Sequence, residues 1–211
     1  GLILTLIPLI VIAIVTFMQN QTMKEVTREE SIKLANTDLD HIVEGVYKMV
    51  QYQQEVAKKR LLGSLKVARK LADDGGGLVI AESGEKVNWN AINQLTNNVT
   101  QVELPKMMAG KTWLGQTSSA NVNVPIVDEV QRLQEVVCTV FQRMNNAGNM
   151  IRVASSVVKK DGNRAIGTYV PSINANGESN PVVATVLRGQ TYSGRAFIVD
   201  KWYLTAYEPI F

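Results

Sequence analysis

Residues 136–158, VVCTVFQRMNNAGNMIRVASSVV, hold two apolar runs separated by the turn signal NNAG at 145–148. Val, Ile, Phe and Thr crowd both runs, the one glycine falls in the break, and each run has the length of a strand. The pattern continues downstream. KKDGN (159–163) is a second hairpin-type turn and RAIGTYVP (164–171) a third strand. TYSGRAFIV (191–199) and WYLTAYEPIF (202–211) follow as fourth and fifth strands, joined by a tight turn at Asp200-Lys201. Between the third and fourth, NPVVATVLRG (180–189) reads as a short helix, with Asn180 as its N-cap and Gly189 as its stop. Residues 136–211 are therefore expected to form an antiparallel sheet.

Working towards the N-terminus, Met23 to Asp73 contains no proline and only two glycines, Gly45 and Gly63. Apolar residues recur at Leu34, Leu39, Ile42, Val46, Met49, Val50, Val56, Leu61, Leu65, Ala68 and Leu71, mostly three or four apart, which is a helical period. A helix over 23–74 would rise roughly 75 Å and needs a partner along its apolar stripe. Its outer end is expected to pack on the sheet and its membrane-proximal part on a second subunit. Gly75-Gly76-Gly77 stops the helix, without the spacing of a phosphate loop. In the insert, 75–135, LVIA (78–81) and VNW (87–89) read as a short hairpin across Ser83–Lys86. TSSANVN (117–123) reads as an exposed loop and Pro125–Glu135 as a short helix. Helix, antiparallel sheet and linking helix together predict an α+β domain with the helix on one sheet face.

The first charge is Lys24, and Leu2 to Met18 is apolar but for Thr5, Pro8 and Thr16. Residues 1–22 read as a transmembrane helix. A cleaved signal peptide is the alternative, though no small-residue cleavage site follows Phe17. A start at Gly1 and an end at Phe211 inside an apolar strand lead us to expect a fragment of a longer protein, its sheet incomplete at the C-terminus. The net charge is only +3, and Lys58-Lys59-Arg60 reads as a solvated helix face, so no nucleic-acid partner is expected. Cys138 is the only cysteine and His41 the only histidine. Neither a disulfide nor a zinc or thiol-imidazole cluster can be built from them, and neither a cofactor nor an enzymatic activity is expected. The Asn-x-Thr sequons at Asn20 and Asn98 are weak motifs, without meaning in a bacterial protein.

The run TVFQRMNNAGNMIRVASSV, DGNRAIGTYVP and NPVVATVLRGQTYSGRAFIVDKWYLTAYEP resembles the Cache extracellular sensor domains. It is most similar to the Cache 3/Cache 2 fusion type of bacterial methyl-accepting chemotaxis receptors, as are the upstream VNWNAINQ, LPKM and TWLGQ segments. The resemblance covers roughly residues 25 to 211. It implies a PAS-like antiparallel sheet with the long helix on one face and a small-molecule pocket on the other. It further implies a homodimer in the bacterial inner membrane, with the sensor domain in the periplasm or extracellular space. Members of the family usually continue into a further strand, a second span and a cytoplasmic signalling region.

Strand periodicity narrows the pocket. Tyr203, Thr205 and Tyr207 share one face of the last strand, opposite Trp202, Leu204 and Ala206. The hydroxyl set is expected on the ligand side. In the strand 150–158, Arg152, Ala154 and Ser156 lie opposite the apolar Ile151, Val153 and Val157. A guanidinium fork with nearby hydroxyls suits a carboxylate. Resemblance to carboxylate-sensing Cache and PAS-like domains makes Arg152 the first candidate; Arg195, Tyr203, Thr205 and Tyr207 follow. Each also has a plain structural reading, as a solvent-facing arginine or a cross-strand tyrosine. Arg164, just after a turn, reads as exposed, and Trp89 and Trp113 as core anchors.

The expected function is an extracytoplasmic sensory domain of a chemoreceptor that binds a carboxylate or amino acid. The ectodomain of a sensor histidine kinase or diguanylate cyclase, and an anchored structural or partner-binding module, are the alternatives. A membrane-anchored enzyme is disfavoured because no nucleophile–base pair is visible.

Overall fold

The computed structural model describes residues 2–81 and 83–210, with side chains from residue 10 onward. Helix α1 (Leu2–Asp74) is unbroken over 73 residues. The chain divides into two compact units, residues 1–54 and 55–211. In the first, α1 exposes Ile32, Leu39, Ile42, Val46 and Met49, spaced by alternating threes and fours or their sums. That spacing is the one a coiled-coil seam uses. No helix of the described residues is long and apolar enough to cross a membrane. The span expected over 1–22 begins in residues 1–9, whose side chains lie outside those described.

The second unit is α+β, but its sheet is mixed. Five strands run in the order β3-β2-β8-β7-β6. They are β2 (Lys86–Asn93), β3 (Val99–Pro105), β6 (Thr139–Arg143), β7 (Met150–Ser155) and β8 (Thr168–Val170). Every neighbouring pair is antiparallel except β2 and β8, which are parallel through Ile92↔Thr168 and Asn93↔Tyr169. The insert thus supplies two strands to the main sheet. The expected hairpin between 78 and 89 does not form. β1 (Leu78–Ile80) pairs instead with β4 (Met107–Ala109), which also pairs with β5 (Thr112–Trp113). The reason lies in length: β2 extends to Asn93 and finds a seven-residue partner in β3, where β1 offers three.

The last two strands also depart from a single sheet. β9 (Tyr192–Ile198) and β10 (Lys201–Tyr207) form a separate two-stranded hairpin. Its turn sits at Val199-Asp200, one residue earlier than expected, with Val199 at φ 58°. The short helices appear as α2 (Val127–Gln134) and α3 (Pro181–Leu187). Asn180 caps α3 by accepting from Val182 N and Val183 N, as its sequence predicts.

The core lies between the sheet and the helices. Ile151 and Val153 of β7 and Trp89 and Ala91 of β2 meet Ala72 of α1 and Val127 and Val130 of α2. Ala68 and Leu71 pack alongside, so the end of α1 covers this face. Trp89 is a core anchor as expected; Trp113 is instead partly exposed beneath the Lys106 ammonium, 4.8 Å from its ring centre. Burial pushes the Cys138 thiol up to about 11, which keeps it protonated at neutral pH.

Gly75-Gly76-Gly77 does more than stop α1. The turn at Gly110 stacks on it, with Gly110 N donating to Gly77 O at 2.8 Å. A Cβ on Gly110, already at φ 57°, would collide with the Gly75 carbonyl oxygen. Gly110→Ala is therefore expected to lower unfolding stability by about 2–4 kcal/mol in urea titration. A loss below about 0.5 kcal/mol would mean this approach relaxes freely.

Candidate ligand-binding site

β7 is an interior strand between β8 and β6, and Ile151 to Ser155 are buried whichever face they take. That makes Arg152 unusual: it is 0 % exposed. The sheet builds its surroundings by register. Phe141 of β6 lies directly opposite Arg152, after a bulge at Val140/Phe141. The Arg152 guanidinium stacks on its ring at 5.1 Å. On the other side, one step beyond the Ile151↔Tyr169 pair, Thr168 of β8 accepts from Arg152 Nη1 at 2.8 Å. Its own hydroxyl donates to Ala165 O. Gln94, just past β2, accepts from Nη2 at 2.8 Å through Oε1 and donates through Nε2 to Phe197 O at 3.2 Å.

The β9–β10 hairpin covers this row. Tyr207 sets its ring 5.8 Å from that of Phe141, and Tyr192 packs edge-on to Tyr207 at 6.2 Å. Burial pushes the Tyr207 phenol up, against the opposing pull of the Arg152 charge. Arg152 itself is pushed down to about 10 by burial, with Tyr207 the opposing influence. Its Nε–H is buried and has no hydrogen-bond partner. Among the described residues no carboxylate bonds to this guanidinium; its polar partners are the neutral Thr168 and Gln94.

Arg164 shows what a structural arginine looks like in the same domain. It is not exposed, as its place after a turn suggests, but 4 % exposed. Its fork clasps Asp128 at 2.7 and 2.8 Å. It also donates to the carbonyls of Ser119, Ala120, Val122 and Ser155. Sequence position misled because the 117–123 loop folds back over it. One buried arginine carries its own anion; the other has a free donor and none.

The other expected site residues divide. Tyr207 reaches the Arg152 row. Thr205 is buried on the same strand face, but its hydroxyl is spent on Gly194 O at 2.9 Å. Tyr203 packs with Val157, Ala165 and Ile198 in a small apolar cluster. Arg195 is exposed, stacks on Trp202 at 5.4 Å, and pairs across the hairpin with Leu204, on the face opposite Tyr207. Phe141, Thr168, Gln94 and Tyr192 escaped the sequence reading. Counting back from the 145–148 turn would have set Phe141 against Arg152; nothing in the sequence announces the parallel β2–β8 pair that delivers Gln94.

From the site a path leads to α1. Glu208, next to Tyr207, accepts from Arg69 Nε at 3.0 Å, and Pro209 O accepts from Arg69 Nη2 at 3.2 Å. Among the described residues no group of three or more His, Cys, Asp or Glu could hold a metal ion.

Residues 24–211 match the Cache 3/Cache 2 fusion domain, and the chain belongs to that family. Cache domains are extracellular small-molecule sensory domains, not catalytic ones. No curated protein and no solved structure matches the chain.

Proposed function

We propose that the chain is the extracytoplasmic ligand-binding domain of a transmembrane chemoreceptor, and that Arg152 receives the carboxylate of a small molecule. The observation that carries this is the buried guanidinium with an unpartnered Nε–H and no internal anion. Burying a charge without an opposite charge is costly, and a ligand carboxylate would supply both the anion and the missing acceptor. Tyr207 and Phe141 line the same spot. Thr205, Tyr203 and Arg195 hold secondary places, as supports of the hairpin more than as ligand contacts.

In this reading residues 1–22 anchor the chain in the bacterial inner membrane, the domain lies in the periplasm, and the exposed stripe of α1 pairs with a second copy. Ligand binding favours one arrangement of the β9–β10 hairpin, and the Glu208–Arg69 contact hands that preference to α1. The same ectodomain would serve a sensor histidine kinase or diguanylate cyclase, since nothing in the site depends on the output domain.

The test is a thermal-shift titration of the purified chain, kept in mild detergent, against small carboxylates. We expect Tm to rise with ligand concentration as mass action requires, by about 2.7 kcal/mol of stabilisation at one hundred times Kd. A flat response to every carboxylate, from a protein that unfolds cooperatively, sinks the reading and favours a structural or partner-binding module.

A further inference from the structure

The chemistry around Arg152 bears on more than the carboxylate. We propose that the site accepts small carboxylates with an uncharged body and rejects α-amino acids. This rests on the carboxylate reading above and adds what the site would do to an ammonium group two bonds from the carboxylate carbon.

An ammonium brings three donors and a positive charge, and when desolvated it needs acceptors and an anion. The residues of the row supply no anion, and the side-chain oxygens nearest the guanidinium already accept from it. Gln94 Oε1 already accepts from Arg152 Nη2, so an ammonium sharing that oxygen would lie against the guanidinium, and the other end of that amide is a donor already bound to Phe197 O. Thr168 Oγ1 accepts from Nη1 and gives its proton to Ala165 O. The ring of Phe141, which could face a cation, already holds the guanidinium on one face, so a second cation there would lie close to the first. The Tyr192 hydroxyl donates to Arg195 O at 2.8 Å. The Tyr207 hydroxyl takes part in none of these bonds, and one phenol cannot balance a full charge. Among the described residues no Asp or Glu pairs with Arg152 or with any of these side chains.

The charge count is thus one cation and no anion. A monocarboxylate brings it to zero. A zwitterion leaves it at plus one, with the ammonium held next to a guanidinium that is itself wholly buried. Like charges so placed repel, and burial amplifies the repulsion. We expect an α-ammonium to weaken binding by about hundredfold or more. The rings of Phe141, Tyr192 and Tyr207, packed on one another beside Arg152, favour an apolar body in its place.

Matched pairs test this by isothermal titration of the purified chain in detergent: propionate against alanine, 4-methylpentanoate against leucine, 3-phenylpropionate against phenylalanine. Lactate serves as a control that keeps a substituent at the α-carbon without its charge. The expected result is that whichever acids bind do so about hundredfold or more tighter than their amino counterparts, and that lactate stays near propionate. An amino acid that equals or outdoes its partner overturns the inference while leaving the carboxylate reading in place. Rejection of lactate together with alanine also overturns it, because crowding and not charge would then set the preference. If neither member of any pair binds a folded protein, the carboxylate reading itself falls.

Discussion

Arg152→Met is expected to abolish carboxylate binding and, without ligand, to make the protein more stable. The two effects together separate a receptor arginine from a structural one. In the ligand-free chain the guanidinium is wholly buried, held by two neutral acceptors, and left with one donor unpaired. Its pKa falls to about 10 because burial penalises the charge. Against the ordinary arginine value, this marks a cost of the order of 3 kcal/mol at neutral pH. Met fills much the same space without charge or donors, so that cost disappears. It strands Gln94 Oε1, which returns about 1 kcal/mol, and forgoes the stacking on Phe141. The balance is a gain of about 1–2 kcal/mol, or roughly 2–8 °C in Tm for a domain of this size. The advantage should be full below pH 10. Above it the folded wild type sheds its proton while the unfolded chain keeps it, so wild-type stability climbs and the gap closes. Binding of any carboxylate that shifts the wild type should drop by more than about hundredfold. Gln94→Glu is the companion: it places an anion on Nη2 from within and should block binding too. A fall of several degrees in ligand-free Arg152→Met would mean that Arg152 holds the sheet together, and the site would have to lie elsewhere.

Much of this fold can be read from local signals, and the limits follow from what such signals carry. Asn180 before a Val-rich turn predicts α3 because capping involves the backbone two and three residues on. The β6–β7 hairpin follows from NNAG for the same reason: Gly148 N returns to Asn145 O within the turn. Which strands adjoin beyond a hairpin is a different question. β2 and β8 are joined by more than seventy residues, and their pairing is decided by burial of the whole domain. Hence Gln94, whose role depends on that pairing, was invisible, while Arg152 and Tyr207 stood out as polar residues on apolar strands. Parity correctly put Tyr203, Thr205 and Tyr207 on one face of β10, but not how far along that face the Arg152 row lies. Only Tyr207, at the strand's end, reaches it. Arg195 fell to the same counting: it pairs with Leu204, an even step from Trp202, and so shares the outer face. The Cache resemblance was legible from the ordered run of strands and turns, and the match over 24–211 bears it out.

The largest expected loss of stability lies at the other buried arginine. Arg164 donates six hydrogen bonds, two to one carboxylate and four to loop and strand carbonyls. Asp128 does double duty, since its Oδ2 also accepts from Val124 N at 2.7 Å. Between these anchors the chain passes through Ile126 at φ 69°, ψ −61°, where Val127 N donates to Pro125 O at 2.8 Å. That is a strained γ-turn, and a β-branched residue tolerates it only where the surroundings fix it. The Asp128–Arg164 clasp does so from one side and the core packing of Ile126 from the other. Asp128→Asn keeps the shape and the acceptor for Val124 but leaves the guanidinium charged and 5 % exposed by side chain. It should cost about 3–5 kcal/mol, the usual penalty for orphaning a buried charge. Arg164→Met should cost nearly as much by another route, by freeing four carbonyls from their donor. In the double variant the losses should fall short of their sum by at least about 1 kcal/mol, because one clasp cannot be lost twice. Carboxylate affinity should hold within about threefold in whatever remains folded, since this clasp shares no bond with the Arg152 row. Urea unfolding of the three variants, with binding measured on each, checks both halves. Additive losses would show that the two residues act separately, and a collapse of affinity in a stably folded variant would tie Arg164 to the ligand.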